Sequence, residues 1–279
     1  MQKSVVHGKR AELASEFLKK EIGAAGVKTA LVLGTGWGDA IELQGAKSVP
    51  FAKIPGFAGL GELEGHARRA ECGMLADKKV IVLRGRIHLN EAPCDRGLAE
   101  MVRLQIEMLA KLGVEKLILT AAVGALNKGA AGIPYQVGDI CVLDGFVTIF
   151  APDMPLFAGE FCSPEDALDP ALAEIALKSA GEIEPLLTAH HGGYVMIRGP
   201  FFEGRKYDKP ALAATGARVV GMSTLPEACV ASLHGLKVLG LSFVTNDDLA
   251  VHSHESNLAR AKESGRALGS YLTRIVSQI

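Results

Sequence analysis

The sequence has almost no net charge: 30 Lys and Arg stand against 31 Asp and Glu. Such a balance leaves no electrostatic footprint for nucleic acid or an anionic membrane surface, so neither is expected as a partner. Cysteine is sparse and unpatterned. Cys72, Cys94, Cys141, Cys162 and Cys229 are widely spaced, odd in number and never form a CxxC pair. That argues against a disulfide framework or a cysteine zinc site and fits reduced thiols in a cytosol. No apolar run approaches the roughly 18 residues of a bilayer span. Residues 2–20 mix charges throughout, where a secretory signal would carry an apolar stretch. A soluble, cytoplasmic protein is expected. Internal repeats, low-complexity tracts and linkers rich in Pro, Gly or Ser are also missing, so residues 1–279 read as one domain.

What the chain does have is apolar content, 48% of its residues, arranged in two alternating periods. Short buried-strand runs stand at 29–33, 79–83, 115–120, 138–143, 193–198 and 237–244. Helical spacing marks 9–22, 97–112, 170–180, 206–215, 224–234 and a final helix near 255–277. Gly113 supplies a stop for the second of these. Strands alternating with helices predict an α/β fold with helices on both faces of the sheet. Residues 151–170 are the least regular stretch and the candidate for a mobile lid.

Three short motifs point to a phosphate-sized anion. Leu33-Gly34-Thr35-Gly36-Trp37-Gly38 follows a strand directly, and its glycines allow close backbone approach while successive N–H groups cradle an anion. It is no dinucleotide fingerprint, because Asp39 stands where the last glycine belongs, and no GK[ST] makes it a P-loop. Arg84-Gly85-Arg86-Ile87-His88 also ends a strand, the place where open α/β sheets hold ligands. A continued strand would put Arg86 and His88 on one face. In Gly221-Met222-Ser223-Thr224-Leu225-Pro226-Glu227, Thr224 and Glu227 have capping-box spacing. With Thr224 spent on the cap, Ser223 would be left at a positive helix terminus.

These motifs, with GHA at 65–67, TAAVGALN at 120–127, GPFFE at 199–203 and TN at 245–246, occur in an order that resembles the trimeric purine nucleoside phosphorylase family. Relatives of that family include methylthioadenosine phosphorylase. The resemblance covers residues 28–265 and implies a mixed central sheet flanked by helices, a homotrimer, and phosphorolysis of purine nucleosides. It implies no cofactor, with inorganic phosphate as co-substrate. Carried over by position, it implies phosphate binding by Thr35, His66, Arg86, His88, Ala122 and Ser223. Ribose would meet Asn90, Met222 and His254, with His252 a competitor for the last place. The base would meet Val123, Gly124, Phe202, Glu203 and Asn246, and the catalytic set would be His88, Glu203 and Asn246.

The chemistry of Glu203 and Asn246 has its own logic. Guanine and hypoxanthine carry N1–H, which a carboxylate accepts, whereas adenine N1 is a bare acceptor. Two buried acceptors left facing each other cost about 1–3 kcal/mol, so Glu203 favours 6-oxopurines. Asn246 can donate to N7, where negative charge gathers as the base departs, and such a donor favours the transition state over the ground state.

Some positions depart from the family pattern. Asn90 replaces a ribose-side Tyr, Ala121 an Asn, Val123 an Ala and Ala125 a Gly. Asp248 gives Asn246-Asp247-Asp248 a partial likeness to the methylthioadenosine branch. The alternatives are therefore a methylthioadenosine phosphorylase, a hydrolase using water, or a nucleoside-binding sensor without turnover. Phe157 and Phe161 lie where the family's neighbouring subunit lends an aromatic ring. His7 and His234 read as surface or satisfied core residues. His190-His191 and His252-x-His254 lack a third ligand at suitable spacing, so no metal site is expected.

Overall fold

The computed structural model describes residues 2–57, 59–60, 66–91, 95–128, 132–151, 154–156, 159–199, 201–247 and 264–279. The chain opens with helix α1 (Gln2–Glu21) and strands β1 (Thr29–Leu33), β2 (Gln44–Pro50), β3 (Arg69–Leu75) and β4 (Lys78–Arg84). Helix α2 (Arg96–Leu112) leads to β5 (Lys116–Ala125) and β6 (Ile140–Val147). Then follow α3 (Pro170–Ala180), β7 (Ala189–Met196), α4 (Asp208–Ala213), β8 (Val219–Gly221), α5 (Leu225–Leu233), β9 (Lys237–Asn246) and α6 (Gly265–Gln278).

The strands join in the order β2-β3-β4-β1-β5-β8-β7-β6-β9, and β9 returns to pair with β5. Strand β5 therefore has neighbours on both sides and closes a ring through β8, β7, β6 and β9. Its lower half lies parallel to β1 and β9. Its last residues, Gly124 and Ala125, pair antiparallel with Val220 and Val219. Parallel and antiparallel pairs coexist, as a mixed sheet requires.

The alternation of β1 divides the core. Ala30 and Val32 pack on the face covered by α1, α2 and α5, with Leu18, Ile106 and Val230. Leu31 and Leu33 pack on the other face with Tyr271 and Ile275 of α6 and Ala176 of α3. This is the two-sided burial that makes a strand read as a continuous apolar run. Helix α2 starts where the Asp95 carboxylate accepts the N–H groups of Gly97 and Leu98, at 2.7 and 3.3 Å. It stops at Gly113, whose φ of 90° only glycine adopts without strain.

Every expected strand is present, with boundaries shifted by a few residues and β5 running on to Ala125. Strands β2, β3 and β8 were not expected. Five of the seven β2 residues run exposed in succession, without alternation. β3 mixes Arg69, Glu71 and Gly73 into its run, and at Gly73 a Cβ would lie 2.9 Å from the Gln44 carbonyl oxygen. β8 has only three residues. The start of the expected final helix, together with His252, His254 and Asp248, lies outside the described residues, and so does Phe157.

Candidate active site

The loops after β1 and β4 and the upper part of β5 converge at the carboxyl ends of parallel strands, the usual ligand position in such sheets. After β1, the Trp37 N–H donates to the Gly34 carbonyl at 3.0 Å and closes a turn. Gly36 has φ 80° in that turn. Thr35 stands half-buried at its tip. The turn is pinned on both sides: Gly34 N–H donates to Thr120 Oγ1 at 3.0 Å, and Trp37 Nε1 donates to the Ala121 carbonyl at 3.1 Å. A Cβ at position 34 would lie 2.5 Å from the Thr120 carbonyl oxygen and 2.7 Å from Arg86 Nη1. The first glycine is thus required for close approach of the arginine. Thr120 was not singled out in the sequence, although it ties the turn to β5.

Strand β4 ends at Arg84, so Arg86 and His88 do not share a strand face as the spacing suggested. Gly85 has φ 101°, which breaks the strand and turns the chain into the site. Arg86 is 1% exposed. Its Nε donates to Glu227 Oε1 at 3.0 Å and its Nη1 to Ser223 Oγ at 3.2 Å. Its Nη2 is buried and has no partner among the described residues. Gln105 Nε2 also donates to Glu227 Oε1, at 3.2 Å. Burial pushes the Glu227 carboxyl above its ordinary pKa, while Arg86 pulls it back.

His66 links this arginine to the other polar groups. Its Nδ1 accepts the Arg86 N–H at 3.2 Å, and its Nε2 lies 3.2 Å from His88 Nε2 and 3.4 Å from Thr35 Oγ1. With Nδ1 accepting, the neutral ring carries its proton on Nε2. The His88 N–H is held by Glu91 Oε1 at 2.7 Å, and Glu91 also pairs with Arg68. Thr35, His66, Arg86, His88 and Ser223 therefore form one connected cluster. Ala122, in β5, lies next to the Ala121 carbonyl that holds Trp37.

The capping box does not form. Thr224 has φ 66° and ψ −53° and makes no side-chain cap. The Leu225 N–H instead donates to the Ser223 carbonyl at 2.7 Å, closing a strained γ-turn. The reason is the Thr224 backbone: a φ of 66° lies outside the extended region from which an N-cap side chain reaches back into its helix. Ser223 remains available, as expected, by a different route. Its N–H is taken by the Tyr194 hydroxyl at 3.1 Å, and its Oγ accepts from Arg86.

A second group assembles around Gly124. A Cβ there would lie 2.7 Å from Glu203 Oε1 and 2.8 Å from Asn246 Nδ2. The missing side chain is what lets carboxylate and amide stand together, and the β5–β9 register shifts between Val123 and Gly124. Both side chains are buried. Burial raises the Glu203 pKa, and the ammonium of Lys209 opposes that rise. Thr245 Oγ1 lies 3.3 Å from Asn246 Oδ1, and Asn246 Nδ2 has no partner among the described residues. Val123 is buried in the strand. Phe202 is half exposed and lines, with Glu203, Phe150, Ile197 and Phe201, a cleft of about 300 Å³.

Asn90 and Met222 meet between the two groups, with Asn90 Nδ2 3.6 Å from Met222 Sδ. A Cβ on Gly199 would lie 2.9 Å from that amide nitrogen. Arg86, His88, Met222 and Ser223 border one small space of about 10 Å³. The departures at Ala121 and Ala125 are buried without polar demands of their own. Phe161 is 90% exposed, and His234 pairs with Glu107 at 3.3 Å. Lys209, buried beside Glu203, and Tyr194, which holds Ser223, were likewise not singled out in the sequence.

A phosphorylase-type α/β protein is the class that this closed mixed sheet and paired polar clusters define, and residues 28–277 match the family model described as the phosphorylase superfamily. The chain is 33% identical over 277 residues to the purine nucleoside phosphorylase of Cellulomonas sp., covering 96% of this chain and 92% of that one. It is 30% identical to purine nucleoside phosphorylase 1 of Bacillus subtilis, with 85% of each chain covered. Among solved structures, isoform 2 of the Schistosoma mansoni purine nucleoside phosphorylase, in complex with cytosine and ribose-1-phosphate, superposes with a TM-score of 0.83 at 26% identity. That match covers 97% of this chain and 96% of the other. The chain belongs to the purine nucleoside phosphorylase family.

Proposed function

We propose that the protein catalyses phosphorolysis of 6-oxopurine nucleosides of the inosine and guanosine type, giving free base and α-ribose 1-phosphate. The observation that carries this reading is the buried Glu203–Asn246 pair at Gly124, a carboxylate acceptor beside an amide donor. Glu203 accepts N1–H of a 6-oxopurine, and Asn246 donates to N7 as charge develops there. Val123, Gly124 and Phe202 bound the base.

Inorganic phosphate is the co-substrate and no cofactor takes part. Arg86, through its unpaired Nη2, and the hydroxyls of Thr35 and Ser223 hold the phosphate, with the backbone of Ala122. His66 and His88 supply further donors, His88 close to the attacking oxygen. Held in this way, phosphate attacks C1′ of an oxocarbenium-like ribosyl group from the face opposite the departing base. Proximity and charge stabilisation do the work, since the nucleophile is already an anion. Asn90 Oδ1, buried and without a partner among the described residues, accepts a ribose hydroxyl proton beside Met222. His254 is assigned to the 5′ side by resemblance alone. The enzyme works as a homotrimer in the cytoplasm, with neither nucleic acid nor membrane as a partner. The exposed rings of Phe150, Phe161 and Phe201 support contact with another subunit.

Base release from inosine, guanosine, adenosine and methylthioadenosine, each with and without phosphate, tests the reading. Phosphate-dependent release from inosine and guanosine is expected. Release from the adenine nucleosides alone would transfer the protein to the methylthioadenosine branch. Binding without release would make it a sensor.

A further inference from the structure

The most unusual titratable group in the molecule is a lysine that faces no solvent. Lys209, on α4, is 1% exposed, and its Nζ lies between three elements. It donates to the Asp247 carbonyl at the end of β9 at 2.9 Å and to the Ala125 carbonyl at the end of β5 at 3.5 Å. On its third side it lies 3.6 Å from Glu203 Oε1. Helix α4 is held against Glu203 by a short closed loop: Gly204 N–H donates to Asp208 Oδ2 at 2.7 Å, and Lys209 N–H donates to the Gly204 carbonyl at 3.0 Å. Burying an ammonium is costly unless it is paired and hydrogen-bonded. Here the backbone carbonyls meet the hydrogen-bonding need, and the carboxylate supplies the countercharge.

We propose that Lys209 is a positioning residue for base recognition: its ammonium keeps Glu203 ionised and facing Gly124, and thereby sets the preference for 6-oxopurines. The proposal rests on the functional reading above and adds a residue and a control to it. An ionised Glu203 accepts N1–H. A protonated Glu203 donates, and so suits the bare N1 of adenine. The protonation state of one carboxyl thus selects between two classes of base. Burial drives Glu203 toward the protonated, adenine-compatible form, and its own backbone N–H and the Lys209 ammonium oppose it. Other charged groups act from neighbouring elements. Arg198 and Asp208 line the cleft beside Glu203, Asp247 follows Asn246, and Arg205 and Lys206 are exposed on the intervening loop. Lys209 is the buried cation that stands in an ion pair with Glu203, at 3.6 Å.

The experiment compares wild type with Lys209→Met, Lys209→Gln and Lys209→Arg, measuring kcat/KM for inosine across pH and the inosine-to-adenosine ratio at neutral pH. Activity on inosine falls as pH drops through the Glu203 pKa, because protonation removes the acceptor. Losing the nearby cation raises that pKa, so the acid limb of Lys209→Met and Lys209→Gln moves up by about one pH unit or more. Their inosine-to-adenosine ratio falls by about tenfold. Lys209→Arg keeps the limb at its wild-type position. A merely structural lysine would lower stability without moving the limb. Should the Met variant not fold, the Gln variant, which retains a hydrogen-bond donor, carries the comparison. Wild-type turnover of inosine belongs to the functional reading. With that control passed, an unmoved limb and an unchanged ratio overturn the lysine proposal alone.

Discussion

Ser223 illustrates how one hydroxyl is prepared at the residue scale. Its Oγ accepts from Arg86 and lies 3.5 Å from Thr224 Oγ1, a contact long enough that an anion in the site is the better acceptor for its proton. Removing it should cost one hydrogen bond to a charged group, about 1.5–3 kcal/mol. Ser223→Ala is therefore expected to raise the phosphate KM about 10–100-fold while leaving the inosine KM unchanged, as steady-state kinetics with each substrate varied would show. Equal changes in both constants would remove Ser223 from the phosphate site. Arg86 itself is a poorer probe. Truncating it strands the buried Glu227 carboxylate, a loss of about 3–5 kcal/mol in stability. At this scale the sequence named side chains that the fold brings together, Arg86 with Ser223 and Glu203 with Asn246, wherever a motif carried them. Lys209 lay hidden because a lysine in a polar, Pro-containing helix reads as a solvated charge, and only the fold turns it inward. Thr224 misled for the opposite reason. Its spacing to Glu227 fits a cap, yet the γ-turn holds its φ at 66°, outside the extended region a capping residue adopts.

Elements position these residues through places where a side chain is missing. The turn after β1 lets Arg86 approach because residue 34 has no Cβ, and Thr120 holds that turn from β5. Gly34→Ala should displace the guanidinium, raising the phosphate KM and lowering stability by about 1–3 kcal/mol. Gly269 makes a useful contrast. It lies on α6, where a Cβ would come within 1.9 Å of the Ala40 carbonyl oxygen. Gly269→Ala should lower the thermal midpoint and leave phosphate KM intact. Similar kinetics in the two folded variants would deny Gly34 its specific role. The long buried strands and the α2 helix were readable from periodicity, since two-sided burial leaves continuous apolar runs. Strand β2 was not, because its outward residues follow no alternation and its pairing with β3 is decided by backbone hydrogen bonds at the sheet edge.

For the whole molecule, the sheet's return through β9 to β5 is what joins the two halves of the site. It brings Asn246 beside Gly124 on one strand pair, while β1 and β4 bring the anion cluster to the same end. No local sequence pattern announces such a closure, and the family resemblance implied only a mixed central sheet flanked by helices. The same scale carries the expectation of assembly. Phe161 is 90% exposed, and Phe150 and Phe201 are exposed with it. A homotrimer is expected in sedimentation-equilibrium experiments, with activity falling on dilution below the assembly range. A fully active monomer would contradict it.

The central claim is that phosphate, and no other nucleophile, cleaves the glycosidic bond. Following the reaction of inosine with stoichiometric phosphate by ³¹P NMR tests it most directly. The account predicts a new sugar-phosphate resonance that grows in step with hypoxanthine and has the coupling of an α-anomer. Hypoxanthine released with free ribose, and with the phosphate signal unchanged, would contradict it.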